Sequence, residues 1–231
     1  MNKLTARLDG NAQSTEAALE SGAAATSLAA AKSVFPSPSQ EALQTAARLK
    51  VILGEVGRMV AVTGIDSSDG STPLAAQLGV ALAATDESPV LVIDGNVQEP
   101  RLHEIFRVPQ QPGILDLLEH RSDLAAATRS LDMNNLFLLP AGQASVSLAA
   151  LLSRPAASQV FAEIRRIYRY VILDAGVIRN HPDGTLVASM SDGVVAAVAA
   201  GARRRHEVLQ FRQELRQLNI PLLGVVLTRP E

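Results

Sequence analysis

From residue 40 onward, short runs of unbroken apolar residues alternate with longer segments of mixed character. The runs 58–63 (RMVAVT), 90–94 (VLVID), 136–140 (LFLLP), 170–174 (YVILD), 193–199 (GVVAAVA) and 221–228 (PLLGVVLT) have the length and β-branched content of strands buried on both faces. Between them, apolar residues three and four apart predict helices over 40–54, 72–84, 101–106, 114–119, 148–152, 156–168 and 203–218. Ser39 or Ser37 is placed to cap the first helix, whose buried side is expected to carry Leu43, Ala47, Val51 and Leu53. Pro73 falls in the first turn of the second helix, where proline is tolerated. Fully apolar strands separated by helices predict an α/β fold: a mostly parallel β-sheet with helices on both faces.

The rhythm is missing from residues 1–39, which are rich in Ala and Ser and finish in Phe35-Pro36-Ser37-Pro38-Ser39. The Pro/Ser stretch reads as a linker. With few large apolar side chains to dock it, the segment is expected to be a mostly disordered tail, leaving one domain over 40–231.

Composition narrows the chemistry. The 231 residues are 47% hydrophobic but only 3% aromatic, so the core is built from Ala, Leu, Val and Ile. A net charge of −2 argues against a general nucleic-acid surface. The absence of Cys removes disulfides, a thiol nucleophile and thiolate metal sites. The four histidines, at 103, 120, 181 and 206, lack ligand spacing, and no metal site is expected from them. No apolar run approaches a membrane span, and no apolar signal core follows Lys3 and Arg7, so a cytoplasmic location is expected.

The chain's most telling segment is VTGIDSSDGSTPLAAQLG, at 62–79. A strand ends, a loop of small residues follows, and an Ala/Leu-rich helix begins, as in a phosphate-binding P-loop of the pattern G-x-x-x-x-G-K-[ST]. Gly70 and Thr72 match the last Gly and the Ser/Thr, but Ser71 stands in place of the Lys. That Lys puts a full positive charge on the β- and γ-phosphates, so its loss removes the main electrostatic contribution to nucleotide binding. In a parallel sheet, ligands bind beyond the carboxyl ends of the strands. Asp94 and Asp174 each end an apolar run there, which is where a magnesium–nucleotide site needs carboxylates.

Over residues 40–228 the chain resembles the bacterial tyrosine kinases that partner polysaccharide copolymerases in capsule and exopolysaccharide export, within the class of the MinD and ParA ATPases. The resemblance rests on LVIDGNVQEPRLHEIF, GILDLL, LLPAG, YRYVILDAGV, DGVVAAVAAGARRR and GVVLT, in the family's order. The departures fall on functional positions. Ser68 replaces a loop Gly, Ser71 the Lys and Pro73 a Thr. Asn96 replaces the second Asp of the family's I-D-x-D, and Thr228 the Asn that holds adenine. The family's ring motif E-x-x-R-x-x-R reads here Glu41, Gln44, Ala47, and the Tyr-rich tail is absent, leaving Tyr168 and Tyr170 as expected packing residues.

The resemblance implies a degenerate member with no catalytic residues, a vestigial pocket at Ser68, Asp69, Gly70, Ser71, Thr72, Asp94, Asn96, Asp174 and Thr228, and no expected cofactor. It implies a regulatory or scaffold role on an inner-membrane polysaccharide copolymerase or chain-length regulator, with peripheral membrane contact through that partner. Arg203, Arg204 and Arg205, at the family's TRR, are candidates for the partner-binding face, and Arg165, Arg166 and Arg169 form a second basic cluster. Two alternatives stand beside this: a divergent but active ATPase or tyrosine kinase using ATP and magnesium through Thr72, Asp94 and Asp174, and a MinD/ParA-like positioning factor.

Overall fold

A computed structural model describes residues 38–54, 59–133, 135–179 and 182–229. The expectation of a disordered tail over 1–39 therefore falls almost wholly outside the described residues. In chain order the elements are α1 (Gln40–Leu53), β1 (Met59–Gly64), a 3-10 turn (Ser67–Asp69), α2 (Ser71–Thr85), β2 (Val90–Asp94), α3 (Leu102–Ile105), α4 (Ile114–Leu118) and α5 (Leu124–Ala127). They continue as β3 (Arg129–Ser130), β4 (Leu136–Leu139), α6 (Leu148–Leu152), α7 (Pro155–Ile167), β5 (Tyr170–Val177), α8 (Pro182–Ser189), β6 (Gly193–Ala199), α9 (Arg205–Gln217) and β7 (Leu222–Thr228).

The strands form one sheet in the order β3-β4-β2-β5-β1-β6-β7. Every pairing is parallel except β3 with β4. Helices cover both faces: α1, α2 and α3 contribute to one apolar cluster, and α4 to α9 to the other. β1, β2, β5 and β6 are buried almost end to end, which is why they read as unbroken apolar runs.

α2 is the wedge that sets the site. Eleven of its fifteen residues are buried, so it is apolar on nearly every side. Gly79 lets it press onto the sheet, since a Cβ there would overlap Val92. α1 packs beside it and is capped by Ser39, whose Oγ accepts from the Ala42 amide at 3.1 Å. The buried stripe of α1 is Ala42, Ala46, Leu49 and Leu53; of the expected residues Leu53 is buried, Leu43 is half-buried, Ala47 is exposed and Val51 is 82% exposed. Two alanines at the contact allow close approach to α2. The sequence reading also missed α5, β3 and α8, which are short or weakly amphipathic.

Candidate functional site

The loops after β1 and β2, the carboxyl ends of β5, β6 and β7, and the N-termini of α1 and α2 line a cleft of about 930 Å³. Ser68, Gly70, Ser71, Thr72, Asn96 and Thr228 all line it, so the fold brings together residues spread over 160 positions of sequence. Asp69, Asp94 and Asp174 lie fully buried behind them.

Asp94 and Asp174 are register partners on neighbouring parallel strands, so their carboxylates start from adjacent backbone positions. β5 runs three residues past Asp174, to Val177, so this residue is within the strand rather than at its end. Asp174 Oδ2 accepts from Thr72 Oγ1 at 2.6 Å and Oδ1 from the Gly176 amide at 3.0 Å. Asp94 Oδ2 accepts from the Leu102 amide at 3.0 Å, while Oδ1 is buried without a hydrogen-bond partner. Among the described residues, neither carboxylate belongs to an ion pair. Burial, with Asp174 close by, raises the Asp94 carboxyl to about 8. Burial raises Asp174 to about 6 against the opposing pull of the Thr72 hydroxyl and the Gly176 amide.

An orphaned buried carboxylate oxygen, a second carboxylate and a hydroxyl form a hard oxygen donor set that suits a magnesium ion. The phosphate-facing positions differ from the P-loop pattern. Ser71 is buried at the first position of α2 and carries no charge. Pro73 deletes an N–H from the first turn. The chain has three lysines, Lys3, Lys32 and Lys50. Lys50 bonds the Thr85 carbonyl and Asp86, at the far end of α2 from the loop, some ~20 Å away along a helix of this length.

The loop itself is tightly self-bonded. Asp66 opens the 3-10 turn and Asp69 closes it: the Ser68 amide donates to Asp66 Oδ1 and the Asp66 amide donates to Asp69 Oδ2 at 2.8 Å. Gly70 then leaves the turn at φ +72°, in the left-handed region that glycine tolerates, to start α2. Asp69 Oδ1 also accepts from the Ala199 amide at 3.0 Å and Arg203 Nε at 3.1 Å. Thr228 Oγ1 donates to the Asp69 carbonyl at 2.8 Å, so this side chain is spent on the loop.

Arg203 was grouped with Arg204 and Arg205 on a partner-binding face. Instead its guanidinium turns inward onto Asp69, Ser68 and Asp66. Arg204 and Arg205 remain exposed. Of the second basic cluster, Arg165 pairs with Asp192 and Arg169 bonds the Gly54 carbonyl and covers the Tyr170 ring, leaving Arg166 exposed. Tyr168 and Tyr170 are buried, as packing residues should be; burial pushes Tyr168 up to about 12. The roles of Asp66 and Arg203 were not read from sequence. The available signal was two carboxylates three residues apart, Asp66 and Asp69, bracketing a turn in the manner of a capping box.

No family model matches the chain. It is similar to the tyrosine-protein kinase CpsD of Streptococcus pneumoniae serotype 4, 23% identical over 177 residues that cover 76% of this chain and 78% of that protein. It is 24% identical over 168 residues to the putative tyrosine-protein kinase CapB of Staphylococcus aureus, covering 73% of each. It also matches the succinoglycan biosynthesis transport protein ExoP of Rhizobium meliloti, 24% identical over 185 residues, 79% of this chain but 23% of that protein. Among solved structures, the chimerical protein CapA2B2 superposes with a TM-score of 0.76 at 24% identity, covering 82% of this chain and 84% of that one. The cell division ATPase MinD of Pyrococcus furiosus superposes with a TM-score of 0.61 at 18% identity, covering 74% and 72%. The chain is thus a relative of bacterial tyrosine-protein kinases, on the P-loop fold that they share with MinD.

Proposed function

We propose that this protein is a catalytically degenerate, kinase-like subunit that acts by binding. Its place is bacterial exopolysaccharide or capsule-type polysaccharide synthesis and export, at the cytosolic face of the inner membrane, docked on a polysaccharide copolymerase or chain-length regulator. The relatives named as tyrosine-protein kinases and as a succinoglycan biosynthesis transport protein support the pathway. The loss of catalysis is carried by one observation: the phosphate loop has no lysine, and Arg203, a cation bonded to the loop among the described residues, is already paired with Asp66 and Asp69. Removing a single preorganised group that stabilises transition-state charge costs about 10²–10³ in rate. Here the Lys, the residue-73 amide and the second Asp of the I-D-x-D pattern are lost together. The expected result is that purified protein with ATP and magnesium shows no hydrolysis and no tyrosine autophosphorylation. Turnover that vanishes in Asp94→Ala would overturn the reading. Ser71→Lys alone should not restore activity, because Pro73, Asn96 and Thr228 remain.

A divergent ATPase or kinase is the second reading, and the unpartnered Asp94 Oδ1 favours it, because Thr72, Asp94 and Asp174 are a fitting donor set for magnesium. In that case magnesium would supply charge neutralisation, and these three residues would hold it. Saturable, magnesium-dependent ATP binding by calorimetry, lost in Asp174→Ala, distinguishes this reading from the first.

A further inference from the structure

The loop does not merely lack a cation; it already holds an anion. Four donors converge on Asp66 Oδ1: the Ser68 amide at 3.3 Å, the Ser68 and Ser67 hydroxyls at 3.4 Å each, and the Arg203 guanidinium at 3.4 Å. Each contact is long, and it is their convergence on one oxygen that marks the site. An amide in a tight loop, flanking hydroxyls and a guanidinium are the groups that bind a phosphoryl oxygen elsewhere. Arg203 is fixed in place by the fully buried Asp69, which the Ala199 and Asp66 amides hold in turn. Its guanidinium therefore stands over the loop whether or not an external ligand is present. The Ser68 amide, with Arg203 behind it, also holds the Asp66 carboxyl below the usual carboxylate range.

We propose that Asp66 is an internal phosphate surrogate, whose carboxylate occupies an oxyanion site made by the Ser68 amide, the Ser67 and Ser68 hydroxyls and Arg203, so that removing it opens the loop to a free phosphoryl anion. In this arrangement Arg203 supplies the loop's positive charge, from the turn after β6 rather than from the position of Ser71. The loop's closed form is then selected by its own side chain, and exclusion of phosphates is an acquired property of this chain in addition to the loss of the lysine. The inference goes beyond the scaffold reading and does not rest on it.

The test uses the full-length protein, titrated with inorganic phosphate and with pyrophosphate at low ionic strength by calorimetry or phosphorus NMR. The wild type is expected to show no saturable binding in the millimolar range. Asp66→Ala is expected to bind pyrophosphate about tenfold or more tightly than the wild type, a change of about 1.4 kcal/mol. Asp66→Asn, which keeps an acceptor for the Ser68 amide and removes only the charge, should move in the same direction, and it serves where the alanine variant fails to fold. Asp66→Ala combined with Arg203→Gln should lose the gain. Equal binding by wild type and folded Asp66 variants, no gain in either variant, or a gain that survives loss of Arg203 would each overturn the proposal. None of those results measures ATP turnover, whose proposed loss rests on Ser71, Pro73 and Asn96 and is read in a separate assay.

Discussion

At the scale of single residues, Asp94 and Asp174 are carboxyls that burial holds above the ordinary range. Their carboxyls ionise at about 8 and about 6, both above the ordinary aspartate value. A carboxyl whose folded value is raised favours the folded state while it is protonated. The contribution of the pair is therefore full at pH values below the unfolded one, near ~4, and is lost as pH climbs through about 6 and about 8. In metal-free buffer, thermal stability should fall between pH 5 and pH 8.5. Asp94→Asn should flatten that slope and raise the melting temperature at pH 8.5 by more than about 2 °C, since each 1 kcal/mol is worth roughly 2–4 °C in a domain of this size. A variant that melts lower at pH 8.5 with an unchanged slope would show that the carboxylate is neutralised in solution. Both aspartates were legible in the sequence because each closes an apolar run. Asp66 and Arg203 were not, since the significance of Asp66 lies in a guanidinium whose anchoring contact, from Arg203 to Asp69, spans 134 residues of chain.

At the scale of elements, strands were the most legible part, because burial on both faces leaves an apolar run with no alternative reading. Helix faces were less so. The reading of α1 chose Leu43, Ala47 and Val51 where the fold buries Ala42, Ala46 and Leu49, with Leu53 common to both, and this makes a clean test. Val51→Gln should leave stability within about 0.5 kcal/mol, as at an ordinary surface position. Leu49→Ala should cost about 2–5 kcal/mol, because Leu49 is buried between α1 and the sheet cluster. Urea unfolding of the two variants checks both, and a reversed order would restore the stripe that periodicity suggested. The same close packing governs α2: Gly79→Ala should cost about 1–3 kcal/mol through overlap with Val92, although alanine is the better helix former. The short elements α5 and β3 escaped the sequence reading because four and two residues carry too little periodicity to register.

At the scale of the whole molecule, the proposed binding role is tested on the surface. Glu41, Gln44 and Ala47 all lie on the exposed side of α1, so the two arginines of the ring motif are missing from a face that is open to a neighbour. Light scattering at micromolar concentration should give a monomer or dimer; a ring-sized mass would contradict this. The other candidate face is on α9. Arg205, Leu209, Arg212 and Arg216 are spaced by four, three and four residues, so they share one side of that helix, and all four are exposed. Glu214, on the same helix, is committed to Arg179, and Glu207 to the Arg204 amide, so neither carboxylate is spare to offset the stripe. A charge-reversal experiment must leave Arg203 alone, because altering it would disturb the loop through Asp66 and Asp69 rather than test the surface. Reversal of Arg205, Arg212 and Arg216 together should impair complementation of a deletion strain's surface polysaccharide, while Ser71→Ala and Asp174→Ala complement normally. Basic residues near an anionic surface contribute only about 1 kcal/mol each and are screened by salt, which is why all three are changed at once. Unaltered polysaccharide in the deletion strain would remove the pathway assignment. Failure of the folded pocket variants, with the reversed stripe tolerated, would move function from the surface of α9 back into the cleft.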